Sequence, residues 1–487
     1  MCGILLVYGD DPEPALREWI KKLVHRGPDN IGFYINNNIA MAFARLSIND
    51  QSPLGNQPHQ TDEFVTMMNA EIYNHQELKE KYQIRINGNS DSHVIAPLFS
   101  KLGNRILKHL DGFYSGVLYN KKTKQLFTIR DYIGKKGLFL VKSGEFSVIT
   151  SELKAVPEID HFQIIPKGLS EINVSDWTIN HTIKHKRLEY AEKKLCLPTI
   201  LEKAVKKRIP YNSAPFGVFL SGGLDSSILS AILKGVSSNA RFYILAEKRE
   251  SSDYIPAQLV LQHLKIDTAR VIRLPNKDKI QQLIEQLVWI TESYNPSIIS
   301  NGICSYLLSL AANEDGLKVV ISGEGADEMF GGYHYCKETD NWKNLRQKLL
   351  DDMHFTELRR IDHTCMSNSI ESRFPYLDRN IYNYSNSLKY EDLYKRIHDE
   401  IVNKYILRTS FEHMLPKEII WRKKTSSDVG SGIRKMVVEY LTNKYGDEKK
   451  GLLKIWKSKF NFDPNDQFFH SYPSFDKAIQ NRGITHK

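Results

Sequence analysis

The chain has 487 residues, 41% hydrophobic and 25% charged, with a formal net charge of +10. That length suggests two or three domains with enough apolar material for substantial cores. No apolar run approaches ~20 residues, so no membrane span is expected. Asp10, Asp11 and Glu13 arrive too early for a signal peptide. Cys2, Cys196, Cys304, Cys336 and Cys365 are odd in number and widely spaced. That spacing argues against a disulfide framework or a zinc site, and for a reducing, cytoplasmic setting. The basic residues cluster mildly near 184–187, 193–208 and 422–424 without interleaved aromatics, so no nucleic-acid partner is expected.

The chain opens Met1-Cys2-Gly3-Ile4-Leu5-Leu6-Val7. Loss of Met1 makes Cys2 the first residue, and its α-amine then serves as general base for its own thiol. Read alone, a cysteine at a strand start is as well explained as a buried apolar residue. A helical segment (Glu13–Val24) leads to the polar string His25-Arg26-Gly27-Pro28-Asp29 and a strand at Ile31–Tyr34. Arg45-Leu46-Ser47-Ile48-Asn49 ends the next strand. Asn69-Ala70-Glu71-Ile72-Tyr73-Asn74-His75 follows an apolar strand at Phe64–Met68. Ser90-Asp91 precedes a helix near His93. Arg130-Asp131 and Ser151-Glu152-Leu153-Lys154-Ala155 close the series.

A polar stretch near 170–190 marks a domain boundary, giving domains at 2–180 and 190–487. An amphipathic helix near Tyr190–Arg208 then leads to Val218-Phe219-Leu220-Ser221-Gly222-Gly223-Leu224-Asp225-Ser226-Ser227. An apolar strand feeding a glycine turn and a helix from Ser226 leaves backbone N–H groups aimed at one point, a ready anion site. Ser221, Ser226 and Ser227 add hydroxyl donors, and Asp225 is placed to hold a magnesium ion on that anion. No lysine follows the second glycine, so this is not the Walker pattern. Strand-like runs at Ala214–Leu220, Arg241–Ala246, Ala269–Leu274 and Lys318–Ser322 alternate with helical patterns at Ser226–Lys234, Tyr254–Leu264, Lys277–Glu292 and Asn301–Ala312. This spacing predicts a parallel sheet covered by helices. A second loop, Ser322-Gly323-Glu324-Gly325-Ala326-Asp327-Glu328, follows the last strand at the same carboxyl edge. Asp225 with Asp327 brings two carboxylates to that edge, which could hold a Mg2+ ion on a bound anion.

The order Cys2, HRGPD, RLSI, N-x-EIYNH, SD, RD and SELKA resembles the class II glutamine amidotransferase domain of the glutamine-hydrolysing asparagine synthetase family. The glycine turn resembles the pyrophosphate loop of the ATP pyrophosphatases. Ile370-Glu371-Ser372-Arg373-Phe374-Pro375-Tyr376-Leu377-Asp378, then Lys404, Leu407-Arg408, Leu415-Pro416 and Arg422-Lys423-Lys424, are similar to that family's downstream strings. The resemblance implies an α+β N-terminal-nucleophile sandwich (αββα), then an α/β parallel-sheet ATP pyrophosphatase domain with added helices. It implies Cys2 as nucleophile towards glutamine, and Asn69 with the Ala70 N–H as oxyanion hole. Arg45 meets the glutamine α-carboxylate, and Glu71 and Asp91 its α-ammonium. ATP is assigned to Leu220, Ser221, Gly222, Gly223, Asp225, Ser226, Leu245, Ser322, Gly323 and Lys424. Magnesium falls to Asp225 and Asp327, and the base in the ammonia step to Glu324. Glutamine, ATP and a carboxylate acceptor, most simply aspartate, are the implied partners; no organic prosthetic group is implied, and a homodimer is allowed.

Three departures from the resemblance stand out. Ala70 replaces a glycine, which adds strain wherever that position needs a positive φ. Lys135-Lys136-Gly137 replaces an apolar-Lys-Pro string. Ser297-Ile298-Ile299-Ser300 replaces a Thr-Thr-x-Arg string, removing a cation for a substrate carboxylate that Arg373 or another cation then has to replace. Three readings stay open beside asparagine formation: the same chemistry on another carboxylate, an intramolecular ring closure, and a non-catalytic binding protein of this fold.

Overall fold

A computed structural model describes residues 2–185, 195–211, 213–246, 252–333, 336 and 339–462. They fall into two compact units. One is built from the described residues of 2–185, 207–214 and 365–371, the other from those of 195–206, 215–364 and 372–462.

The first unit holds two six-stranded sheets. In chain order its strands are β1 (Gly3–Tyr8), β2 (Asn30–Asn36), β3 (Ile39–Arg45), β4 (His59–Gln60), β5 (Phe64–Ile72), β6 (Gly112–Asn120), β7 (Leu126–Arg130), β8 (Phe139–Ser143), β9 (Phe146–Thr150), β10 (His161–Ile164), β11 (Gly168–Asn173) and β12 (Thr178–Ile183). One sheet runs β10-β8-β9-β1-β3-β2, the other β12-β11-β7-β6-β5-β4. Alternation along the strands builds the layers. Ile4 and Leu6 of β1 meet Val65 and Met67 of β5 and Val117 of β6 between the sheets. Phe64, Met68 and Ile72 of β5 point the other way, onto Leu78 of helix His75–Lys81 and Leu98 and Phe99 of helix Ile95–Leu102. Leu5 and Val7 are fully buried on the outer face of β1. The expected αββα sandwich is present.

Two sequence expectations for this unit need revising. Asn69, Ala70 and Glu71 do not follow a strand; they lie inside β5, paired through Ile72↔Gly112. Ala70 is therefore extended and is not among the residues with positive φ, so the anticipated strain at that position does not arise. The helical segment from Glu13 is an α-helix only to Trp19 and tightens into a 3-10 turn over Ile20–Arg26.

The second unit is organised on a five-stranded sheet: β13 (Phe216–Phe219), β14 (Ala240–Ala246), β15 (Ala269–Arg273), β16 (Val319–Ile321) and β17 (Glu371–Arg373), ordered β15-β14-β13-β16-β17. β13 pairs in parallel with both β14 and β16. The chain runs outward from β13 to β15 and then returns to the other side of β13. The gap between β13 and β16 is thus a topological switch point, where open parallel sheets leave a crevice for ligands. The helix expected at Asn301–Ala312 is longer, Pro296–Glu314. Asn295 caps it by accepting from the N–H groups of Ser297 (2.9 Å) and Ile298 (3.2 Å). Ser297–Ser300 is therefore its first turn. The helix near Tyr190–Arg208 is seen as Leu197–Lys206, and residues 190–194 lie outside the described residues. No described helix is long and apolar enough to cross a membrane.

Candidate active sites

In the first unit Cys2 is anchored by its backbone. Its N–H donates to Asn69 Oδ1 (3.1 Å), and its carbonyl accepts from Arg26 Nε (3.0 Å). The Asn69 Nδ2 amide is buried with no hydrogen-bond partner. Met68 and Ile72 turn their N–H groups to the same edge of β5, where they donate to Gln57 Oε1 (2.7 Å) and Asp91 Oδ2 (2.6 Å). Strand alternation sends the Ala70 N–H to that edge too. One pocket is lined by Cys2, Arg45, Ala70, Glu71 and Asp91, so five of the six residues assigned to this site face it; Asn69 does not line it and is tied to it through the Cys2 N–H.

Arg45 is held by its neighbours. It donates to Ser52 O (2.9 Å), Asn56 Oδ1 (2.7 Å) and Asp50 O, which pins the loop around it. Gly55 is required for this arrangement, since a Cβ there would run into the guanidinium. Glu71 accepts from Asn49 Nδ2 (2.8 Å). Burial pushes the Cys2 thiol up; a Leu46 backbone hydrogen bond and the Arg45 charge pull it down, and Glu371 pushes it up.

Beneath Cys2 lies a charge cluster whose members were quoted in the sequence strings without a role. Glu152 is fully buried. It pairs with Arg26 (2.5 Å), Lys154 (2.5 Å) and the His25 ring (3.0 Å). Since Arg26 also holds the Cys2 carbonyl, Glu152 sets the position of the thiol through one intermediate residue. Burial alone would raise the Glu152 carboxyl, but Lys154, His25 and Arg26 hold it well below the usual carboxylate range. Its folded-state value is depressed, so its stabilisation is present above the ordinary carboxylate range and is lost as pH falls through the folded value. Glu152→Gln removes the buried negative charge that faces Arg26, Lys154 and His25. We expect a loss of about 3–5 kcal/mol, read by urea unfolding at pH 7. A variant as stable as the parent at pH 7 would show that the cluster does not hold this unit together.

In the second unit the glycine turn follows β13. Gly222 takes φ +67°, and a Cβ there would strike the backbone of Pro256 and Ala257. Gly223 begins the helix Leu224–Val236 without a side-chain cap, so the first N–H groups of that helix are left for a ligand. Ser226 Oγ bridges Ser221 Oγ (3.2 Å) and Gly223 O (3.2 Å), closing the cradle. One cleft is lined by Leu220, Ser221, Gly223, Asp225, Ser226, Leu245, Ser322, Gly323, Glu324, Asp327 and Lys424. Of the residues assigned to this unit Gly222 and Ser227 are not on its wall; Ser227 is fully buried in the helix, so its hydroxyl is not the donor the sequence suggested. Ser322 Oγ is buried there with no hydrogen-bond partner.

Three carboxylates of the cleft, Asp225, Asp327 and Glu324, are paired with cations. Lys404 contacts Asp225 (2.6 Å) and Asp327 (2.6 Å); Lys424 contacts Asp327 and lies 3.8 Å from Asp225. Burial works to raise the Asp327 carboxyl, but Lys404 and Lys424 hold it far below the usual range. Lys404 was only one letter of a downstream string in the sequence; the structure makes it the centre of this group. Glu324 pairs with Arg360 at 3.0 Å. Arg360 lines the cleft, whereas Arg373 is fully buried and does not line it. Arg360, and not Arg373, is thus a cation on the wall of this cleft that an acceptor carboxylate can reach. Ser300, where the resemblance called for an arginine, instead donates to the buried Asp428 at 2.5 Å. Burial beside Glu357 and Asp327 pushes the Glu328 carboxyl up to about 8, against a hydrogen bond from the Tyr333 hydroxyl at 2.6 Å.

No group of three or more His, Cys, Asp or Glu residues suited to a metal occurs among the described residues. The donor set still fits magnesium bound with a nucleotide, because that ion commonly takes one or two carboxylates and draws its other ligands from phosphates and water. Asp327 Oδ1 is buried and lacks a directed hydrogen bond despite its contact with Lys404, leaving a lone pair for such an ion.

The two sites define a class of protein: an amidotransferase sandwich and a nucleotide-loop α/β unit carried on one chain. A glutamine amidotransferase domain matches residues 1–205, and an asparagine synthase domain matches 197–354 and 338–460. The chain is 30% identical over 461 residues to asparagine synthetase [glutamine-hydrolyzing] 1 of Arabidopsis thaliana, covering 89% of this chain and 78% of that protein. It is 31% identical over 442 residues to asparagine synthetase B [glutamine-hydrolyzing] of Escherichia coli K12, covering 84% and 77%. The chain belongs to the asparagine synthase family.

Proposed function

We propose that this chain is a glutamine-dependent carbon–nitrogen ligase that converts aspartate to asparagine, with a glutaminase domain at 2–180 and a synthetase domain at 190–487. The observation that carries the reading is the pairing, in one polypeptide, of a thiol beside an unpartnered amide donor with a phosphate cradle beside paired carboxylates. With Met1 removed, the Cys2 α-amine takes the thiol proton and the sulfur attacks the glutamine side-chain amide. Asn69 Nδ2 and the Ala70 N–H receive the oxyanion. Arg45 binds the α-carboxylate, and Glu71 and Asp91 the α-ammonium. Ammonia leaves, and water releases glutamate from the thioester.

In the second domain ATP lies on Leu220–Ser226 with Leu245, Ser322 and Gly323. The aspartate β-carboxylate attacks the α-phosphorus, pyrophosphate departs, and Lys424 holds its charge. Mg2+, when bound, neutralises the anhydride oxygens, and Asp225 and Asp327 are the residues that would hold it. Ammonia then displaces AMP from the acyl adenylate while Glu324, oriented by Arg360, takes a proton. A second acceptor reading has one observation behind it. The first two turns of helix Pro296–Glu314 present Ser297, Ile298 and Asn301 to the cleft and no cation, which suits a carboxylate lacking aspartate's α-groups.

Mass spectrometry of products from glutamine, magnesium-ATP and a panel of carboxylic acids tests both readings. Asparagine, glutamate, AMP and pyrophosphate are expected; ADP in place of AMP sinks the mechanism. Within the glutaminase site, Gly55→Ala displaces the Arg45 guanidinium. We expect KM for glutamine to rise about 10- to 100-fold, the loss of one charged hydrogen-bonded contact, with ammonia-driven synthesis unchanged. An unchanged KM would remove Arg45 from glutamine binding.

A further inference from the structure

We propose that Lys404 is a resident counter-cation that keeps the place of the magnesium ion between Asp225 and Asp327 until nucleotide arrives. The inference rests on the nucleotide reading of this cleft. Lys404 Nζ lies 2.7 and 2.6 Å from the two Asp225 oxygens and 2.6 Å from Asp327 Oδ1, with 2% of its side chain exposed. That is where a hard cation bridging the two carboxylates would sit.

The backbone is arranged to hold the ammonium there. Lys404 takes φ 53°, a left-handed conformation that non-glycine residues rarely adopt. The preceding residue is fixed twice: the Asn403 side chain donates to Gly332 O at 2.6 Å, and the Asn403 carbonyl accepts from Arg408 Nε at 2.8 Å. Gly332 leaves the necessary space, since a Cβ there would strike Asp327 Oδ1 and Lys404 Cε. A lysine meant chiefly for phosphate needs a reachable end. Lys424, 38% exposed, has one, and Lys404 does not.

The charges explain what such an arrangement does. Two carboxylates and two ammonium groups are neutral together, so a free dication gains no net attraction by entering. A polyphosphate brings the missing negative charge, offers the lysines a new partner and frees carboxylate oxygens for the metal. Metal then enters with nucleotide and not before it.

Mn2+ binding to the full chain, followed by loss of the free-ion electron paramagnetic resonance signal, tests this without any turnover. In the absence of nucleotide, Lys404→Met is expected to bind Mn2+ at least about tenfold more tightly than the parent, the effect of one nearby unit charge. Adding Asp225→Asn should cancel the gain. Equal affinities in the parent and in a Lys404→Met protein of normal melting temperature overturn the proposal. If that variant does not fold, the parent decides: tight Mn2+ binding without nucleotide, equal to that with adenylyl imidodiphosphate, also overturns it. An analogue that fails to bind at all removes the nucleotide reading, and this inference with it. The two failures are therefore distinguishable.

Discussion

Alanine at position 2 is expected to end glutamine-driven synthesis, by at least about 10^3-fold, while synthesis from ammonium salts continues at the parental rate. The size of the effect follows from the architecture of the first unit. Removing the sulfur leaves Asn69 Nδ2 and the β5 edge in place, because they are held by Gln57, Asp91 and the pairing with β6, not by the thiol. The proposed oxyanion donors then have no nucleophile to serve. The substitution also costs little stability, since the backbone of residue 2 keeps its bonds to Asn69 and Arg26. A glutaminase assay beside an ammonia-driven assay separates the outcomes. Glutaminase activity unchanged in Cys2→Ala would remove the nucleophile assignment; loss of both activities would mean the substitution acts on the whole fold. Retention of Met1 in the mature protein would be equally damaging, because the amine that takes the thiol proton would then be in a peptide bond.

The elements that carry both candidate sites could be read from the sequence where a local string fixes its own conformation. An apolar run followed by two glycines and a helix start is sufficient to place a phosphate cradle, because strand, turn and helix are each determined by neighbouring residues. Reading failed where a distant partner decides. The polar residues Asn69 and Glu71 look like a turn, yet β6 keeps that segment extended and the side chains of Gln57 and Asp91 satisfy its outer edge. Glu152 and Arg26 stand in recognisable strings, but their bond joins residues 126 apart. Lys404 and Asp225 meet across 179 positions. The helix expected from Asn301 begins earlier, because Asn295 and Pro296 are the cap and first position of Pro296–Glu314.

Lys424→Met is expected to reduce pyrophosphate release about 10^2- to 10^3-fold with ammonia as nitrogen source, and to leave glutamine hydrolysis intact. Partial burial works against charge on this lysine, yet Asp327 and Asp225 raise its ammonium above the ordinary lysine value, so it is charged at every pH of interest. Of the two lysines of the quartet it has the exposed end, and it is the one able to leave Asp327 for a departing polyphosphate. Methionine keeps most of the length and removes only the charge. Asp327 retains Lys404 after the change, so the pocket is not left with an unpaired buried carboxylate and the effect falls on chemistry, not folding. Lys424→Arg should recover part of the rate, because a guanidinium carries the charge on a broader, planar group than a point ammonium. Release within threefold of the parent in Lys424→Met would place the leaving group's charge on other residues, and the first N–H groups of helix Leu224–Val236 would be the remaining donors to test.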